Sequence, residues 1–260
     1  MATLHSLIDF TGTIGNVTAF KRNGTGKTYL RQASGPTRKQ ILHAPAFQVT
    51  RELNNEFRAC TMLTAGIRRA IFPLKHLGDA NFTGALNKLA KKIQTLDTEG
   101  IRGERNIFLS RHRHMLTGCS LHQERPFDGI LRHPVTVQTD RANASANIII
   151  PALIPDVNLF LSGKGLFTRF VITLSTVGDV VYSGKTPHRQ DRYQMTHHHT
   201  PWLHMEDSAD AATIPLQLAP GIPEQVSLVL GIGIETGRPD RFGEMELMKK
   251  NGSAKILEVF

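Results

Sequence analysis

His197, His198, His199 and His204 crowd one stretch of the chain, and Glu206, Asp207 and Asp210 follow them. Neutral imidazoles and carboxylates are ligands for zinc or another divalent cation, and His197 and His199 share a side if the stretch is extended. His197, His199, His204 and Glu206 are therefore the candidate metal ligands. Their spacing matches neither a closed nor a catalytic zinc pattern, and no His-Glu-x-x-His helix is present. The expectation is a polar loop between strands, with no metal and no cofactor. Trp202, the only tryptophan, reads as an anchor against the body of the protein or a neighbouring subunit.

Other chemistry is weaker. Gly24-Thr25-Gly26-Lys27-Thr28 ends like a phosphate-binding loop, but the position that requires the first glycine is Lys21, and Lys27 and Thr28 open a strand where that loop opens a helix. Cys60 lies on an apolar helical face, and Cys119 has only sequence neighbours, His112, His114 and His122, to activate it. Glu206 and Asp207 are adjacent and diverge in a strand, so they form no acid–base pair. No enzyme is expected; a metal-dependent one built on residues 197 to 210 is the third reading.

Charge is the stronger signal. Of a net +9, residues 1 to 120 carry 18 Lys and Arg against 7 Asp and Glu, whereas residues 121 to 260 carry 13 against 15. Lys21, Arg22, Lys27, Arg31, Arg38 and Lys39 supply anion-binding charge, with Phe20 and Tyr29 between them, and Arg51, Arg58 and Arg69 continue it along a helix. Together with Trp202 these are the candidate interface residues. No RNA-recognition, zinc-finger or helix-turn-helix signature accompanies them.

The elements that must position these residues follow from pattern. Leu7 to Phe10, Val17 to Lys21 and Thr28 to Arg31, divided by Gly12 to Asn16 and by Asn23-Gly24, read as a β-hairpin arm. Gln32 to Pro45 reads as an extended connector. Thr50 is the expected N-cap of a helix over 51 to 72, with Leu53, Phe57, Cys60, Thr64, Ile67 and Ile71 buried and Arg58, Met62 and Arg69 opposite. A second helix over 83 to 97 turns Leu86, Leu89, Ile93 and Leu96 inward, with Asp79 or Asn81 near its start. Arg111 to His114 reads as a basic strand. From about 133, short β-branched runs at 135–138, 146–152, 157–161, 166–175, 180–183, 213–218, 225–234 and 255–259 suggest an antiparallel β-sandwich. The fold class is thus α+β: a basic arm and connector (1–45), a helical region (46–132) and a β-sandwich (133–260).

Composition bounds the rest. With 260 residues, 40% apolar and 20% charged, the chain can bury a core. No apolar run reaches the ~20 residues of a membrane helix, and Met1 to Phe10 lack a secretory pattern. Two unpatterned cysteines fit a reducing cytoplasm.

Gly12-Thr13-Ile14-Gly15-Asn16, Phe20-Lys21, Lys27-Thr28-Tyr29-Leu30-Arg31, Pro45-Ala46-Phe47, Thr50-Arg51 and Glu56-Phe57 together resemble a family of uncharacterised Bacteroidota proteins with a glycine-rich N-terminal β-arm. The resemblance covers roughly the first quarter of the chain and implies that Gly12, Gly15, Arg31 and Arg51 hold the arm's shape and contacts. It implies no enzymatic role. The leading expectation is a structural protein that self-associates as a homo-oligomer or polymer, in a filament, tube or sheath, by placing its arm on a neighbouring copy. Nucleic acid is the alternative partner.

Overall fold

A computed structural model describes residues 2–4, 10–22, 26–32, 35–161, 166–190, 192–248 and 251–260. Two units result, Met1–Arg51 and Glu52–Phe260. The expected strand residues 7 to 9 and the Asn23-Gly24 turn lie outside the described residues.

The first unit is an antiparallel sheet in the order β1 (Ala2–Leu4), β4 (Thr28–Gln32), β3 (Val17–Lys21), β2 (Gly12–Ile14). Gly15, at φ 59°, occupies the first central position of the two-residue turn joining β2 to β3, where a positive φ suits glycine. The stretch expected as an extended connector instead contains helix α1 (Arg38–His43). Thr37-Arg38-Lys39-Gln40 is a capping box: the Gln40 amide donates to Thr37 Oγ1 at 3.3 Å and the Thr37 amide to Gln40 Oε1 at 2.7 Å, which satisfies donors free at any helix start.

Helix α2 (Gln48–Ala70) straddles the division between the units. It begins two residues before the expected cap, Thr50, because a 3-10 turn opened by Pro45 runs directly into it. Its buried stripe meets expectation at Cys60, Thr64, Ile67 and Ile71, the last just past its end, and departs from it elsewhere. Glu56, Ala59, Cys60, Leu63, Ile67 and Ala70 are buried, whereas Phe57 is 53% exposed and Leu53 is exposed with it. The small residues decide this. A side-chain carbon at Gly66 would meet Arg189 Nη1 at 2.7 Å, and Arg189 donates to the Met62 carbonyl. Helix α3 (Phe82–Thr95) buries Leu86, Ala90 and Ile93, half-buries Leu89, and leaves Leu96 exposed just past its end. Asp79 precedes it, accepting from the Asn81 and Gln123 amides. Residues 111 to 114, expected as a strand, instead fall in and between two 3-10 turns, Leu109–Arg111 and Arg113–Met115; α4 is the single turn Phe127–Ile130.

Three β elements form one small sheet: β5 (Thr136–Asp140), β6 (Ser145–Ile150) and β12 (Ala212–Gln217), ordered β12-β6-β5. The large sheet is built on β7 (Phe167–Gly178) and β13 (Val226–Pro239), paired over their lengths. Around them lie β10 (Met195–His199) and β11 (Leu203–His204) on β7, and β14 (Met245–Leu247) and β15 (Ser253–Val259) on β13. The hairpin β8 (Val180–Ser183) and β9 (Thr186–Arg189) stands apart. The run at 157–161 forms only isolated bridges.

Alternation divides the large sheet between two cores. Phe170, Ile172 and Leu174 of β7 and Leu228, Leu230, Ile232 and Ile234 of β13 pack with Ala146, Ile148, Ile150, Ile214 and Leu216 of the small sheet. The opposite face, with Val171, Val177 and Val229, packs against α2, α3 and the turn Phe72–Leu77. The two sheets are thus two layers of a three-layer unit, and no boundary falls at residue 132, since helices and sheets share buried side chains. Gly231 and Gly233 make this possible. A side-chain carbon at Gly231 would lie 2.7 Å from Leu74 Cδ1, and one at Gly233 2.5 Å from Leu77 Cδ1.

Three substitutions test this packing by urea unfolding. Gly233→Val should lower stability by ~1–3 kcal/mol through overpacking, and Leu63→Ala by ~2–5 kcal/mol. Phe57→Ala should cost less than ~1 kcal/mol because the ring is half in solvent; a large loss would place Phe57 in the core after all.

Candidate functional site

The histidine run lies in a strand, correcting the expected loop. His197, His198 and His199 stand opposite Thr173, Ile172 and Val171, and directly opposed residues share a face of the sheet. His198 therefore lies on the small-sheet face with Ile172, while His197 and His199 lie on the helix face with their rings 5.4 Å apart. His204 sits edge-on to Phe167 at 5.0 Å and accepts weakly from the Glu206 amide at 3.4 Å. The pleat sends these groups in different directions, and among the described residues no three His, Cys, Asp or Glu side chains are grouped to hold a metal ion.

Trp202, just beyond the strand, is where the side chains converge. The guanidinium of Arg169 lies 4.4 Å from its ring centroid, and a side-chain carbon at Gly237 would meet the indole at 2.9 Å. Arg169 Nε donates to Glu235 Oε2 at 2.7 Å, and His76 Nε2 lies 2.8 Å from Glu235 Oε1. Glu235 is 3% exposed. Burial alone raises its carboxyl, but the bonds from His76 and Arg169 outweigh burial and leave the pKa below the ordinary range. Burial first, and then the Arg169 charge, lower the pKa of His199.

On its other side Trp202 lines a cavity of about 350 Å³. Ile150, Leu153, Phe170, Leu203 and Ile214 make it apolar, and His198 and Asp210, both exposed, contribute polar side chains to its lining. Thr168 and Thr200 also line it, but Thr168 Oγ1 donates to the Glu235 carbonyl and Thr200 Oγ1 accepts from the Phe170 amide. The cavity can hold an aromatic or aliphatic group with a cation beside it.

The basic candidates separate into several roles. On the arm, Phe20 and Tyr29 stack at 6.0 Å with Arg31 5.5 Å from the Phe20 centroid, a joint aromatic and cationic face. Lys21, Arg22, Lys27, Arg38 and Lys39 are exposed on the same unit. Arg51 is instead an internal clamp: its Nη1 donates to the Ile41 and Ala44 carbonyls at 2.9 Å each, satisfying acceptors at the end of α1. Arg58 is exposed, and Arg69 stacks on Tyr193 at 4.0 Å. Pattern reading missed Glu56 and Asp179. Glu56 is buried among Lys91, Arg105 and the Gly103 amide; burial raises its pKa, but these partners leave it lowered. Asp179 accepts from the Ser110 amide and hydroxyl at 2.8 and 2.6 Å, yet burial keeps its pKa raised.

Compared with protein-family models, curated proteins and solved structures, the chain matches none.

Because the folded pKa of Glu235 is lowered, its ionised form stabilises the fold above the unfolded carboxyl value of ~4.3, and that contribution is lost as pH falls through the folded value. Glu235→Gln should therefore cost ~3 kcal/mol at neutral pH by stranding Arg169. The difference from wild type should shrink as acid protonates the native carboxyl; thermal melts between pH 7 and 3 check this, and a constant difference would contradict it.

Proposed function

We propose that this is a non-enzymatic structural protein that self-associates through its N-terminal arm into an extended assembly. The observation that carries the reading is the arm's lack of a core. Among the residues of the first unit whose burial is described, only Ala19 and Thr28 are buried, and α1 buries none. A sheet with so little buried apolar surface does not offset the entropy of ordering its backbone, so a partner that covers it supplies the missing contacts. Ile14, 66% exposed on the terminal strand β2, offers both an apolar side chain and open main-chain groups.

Charge favours a second copy as that partner. Residues 1 to 51 hold seven Lys and Arg against Asp9 alone, while Glu206, Asp207, Asp210, Glu224 and Glu244 are exposed on the C-terminal half. β5 ends the small sheet and is largely exposed, so it can accept a strand by main-chain bonding. Arm on body is a heterologous contact, which generates rings or open helical polymers. Two free cysteines fit a reducing cytoplasm. Among the described residues no helix is long and apolar enough to cross a membrane. The Phe20, Tyr29 and Arg31 face favours a second reading, single-stranded nucleic acid held by stacking and charge.

Deleting residues 1 to 45 should leave a cooperatively melting protein, because the second unit keeps its own core, and should abolish large particles in light scattering and negative-stain images. Ile14→Asp in the full chain should weaken assembly in the same direction. Assembly unchanged by both would refute the arm reading, and tight, salt-sensitive binding of generic single strands would favour nucleic acid.

A further inference from the structure

The most exposed large apolar side chain in the second unit is Phe242, 91% exposed. It stands on an ordered turn between β13 and β14. Asp240 Oδ1 accepts from the Phe242 amide at 2.8 Å and from the Glu244 amide at 2.9 Å. The Asp240 amide donates to the Glu244 carbonyl at 2.8 Å and the Gly243 amide to the Asp240 carbonyl. Gly243, at φ 85°, closes the turn. A carboxylate holding two nearby amides in this way fixes the backbone, so the ring is presented at low ordering cost. Arg241 and Arg238 flank it and are exposed.

The Trp202 cavity has the complementary properties. Its wall is apolar and aromatic, its volume of about 350 Å³ admits a phenyl ring, and exposed Asp210 supplies the opposite charge. Glu206 and Asp207 are exposed close by in sequence. Ring and cavity belong to the same end of the large sheet: Gly237 pairs with Phe167 at the end of the β7 ladder, and Leu203 pairs with Thr168 beside it.

We infer that Phe242 of one copy seats in the Trp202 cavity of a second copy, with Arg241 beside Asp210. Because each chain carries both parts at one end of the sheet, the exchange is reciprocal and closes as a two-fold pair. This rests on the self-association reading and names one of its interfaces, separate from the arm. A buried aromatic anchor beside a matched charge pair is the composition expected of an interface centre.

The test uses the full-length protein, Phe242→Ser, Arg241→Glu, Asp210→Arg and the Arg241→Glu, Asp210→Arg double variant. Sedimentation velocity and tryptophan emission are followed over a dilution series. Trp202 is the only tryptophan, so its emission reports the cavity directly. In wild type, emission should shift to shorter wavelength as pairs form. Phe242→Ser should weaken pairing at least tenfold and hold emission constant; the exposed position leaves the fold intact, which a melting curve verifies. Each charge variant should weaken pairing, and the double variant should recover it. Pairing of Phe242→Ser within twofold of wild type would overturn the proposal, as would emission that stays flat while wild type associates. An apolar small molecule found at one per chain in native mass spectrometry would also overturn it, assigning the cavity to that ligand. If Phe242→Ser still pairs and arm deletion abolishes assembly, only this interface fails. If wild type stays monomeric throughout, the self-association reading fails with it.

Discussion

The second unit depends on how closely the turn Phe72–Leu77 approaches β13. Leu74 and Leu77 rest where side chains at Gly231 and Gly233 would stand, and the next strand contributes only Ala254 at the same point. Two glycines in a strand weaken it locally. Here that cost is offset by burying Ile71, Leu74 and Leu77, each worth ~1.5–3 kcal/mol when removed from water. The same strand turns Leu228, Leu230, Ile232 and Ile234 to the opposite core. One alternating segment therefore serves two layers, with small residues toward the helices and branched ones toward the small sheet.

Charge inside this unit is arranged by the same close packing. Glu56 reaches α3 through Lys91 and the following loop through Gly103 and Arg105, joining elements far apart in sequence. Glu235 joins β13 to β7 through Arg169 and to the Phe72–Leu77 turn through His76. Arg141 ties the last residue to the start of β13, donating to the carbonyls of Phe260, Pro223 and Val226. Glu56, Glu235 and Arg141 are each matched by partners, as charges must be in a region of low dielectric constant. They hold layers in register.

The first unit is built on the opposite principle. Its backbone is well specified by a glycine turn, a capping box and the Arg51 clamp, yet among its residues whose burial is described only Ala19 and Thr28 are buried. Specified backbone with so little buried side-chain surface is what the proposed self-association would draw on. Its concentration of cations, set against the acids exposed on the C-terminal half, supports a neighbouring copy as the partner. The uncovered aromatic at Phe242 and the cavity beside Trp202 extend the same logic to the second unit.

Much of this was legible in the sequence. The strands at 17–21, 28–31 and 180–183, the helices near 51–72 and 83–97 and the α+β class follow from period, turn residues and propensity, which act locally. The capping box at Thr37 to Gln40 was equally local and readable, although Gly35 and Pro36 direct attention to an extended chain. What local pattern does not contain is the partner of each face. Phe57 and Leu53 satisfy the helical period, but Glu56 takes the buried place because Lys91, Arg105 and Gly103 are waiting for it across the fold. His197, His198 and His199 read as a polar loop until β7 supplies the ladder that makes them a strand and separates their side chains. The boundary at 132 disappears because the helices cover a sheet that begins far downstream. Sequence by itself determined the strongly periodic helices, the strands bounded by clear turn residues and where charge accumulates; only the tertiary structure decided which ambiguous segments pair as strands and which residues are withdrawn from water, since both depend on atoms brought from distant parts of the chain.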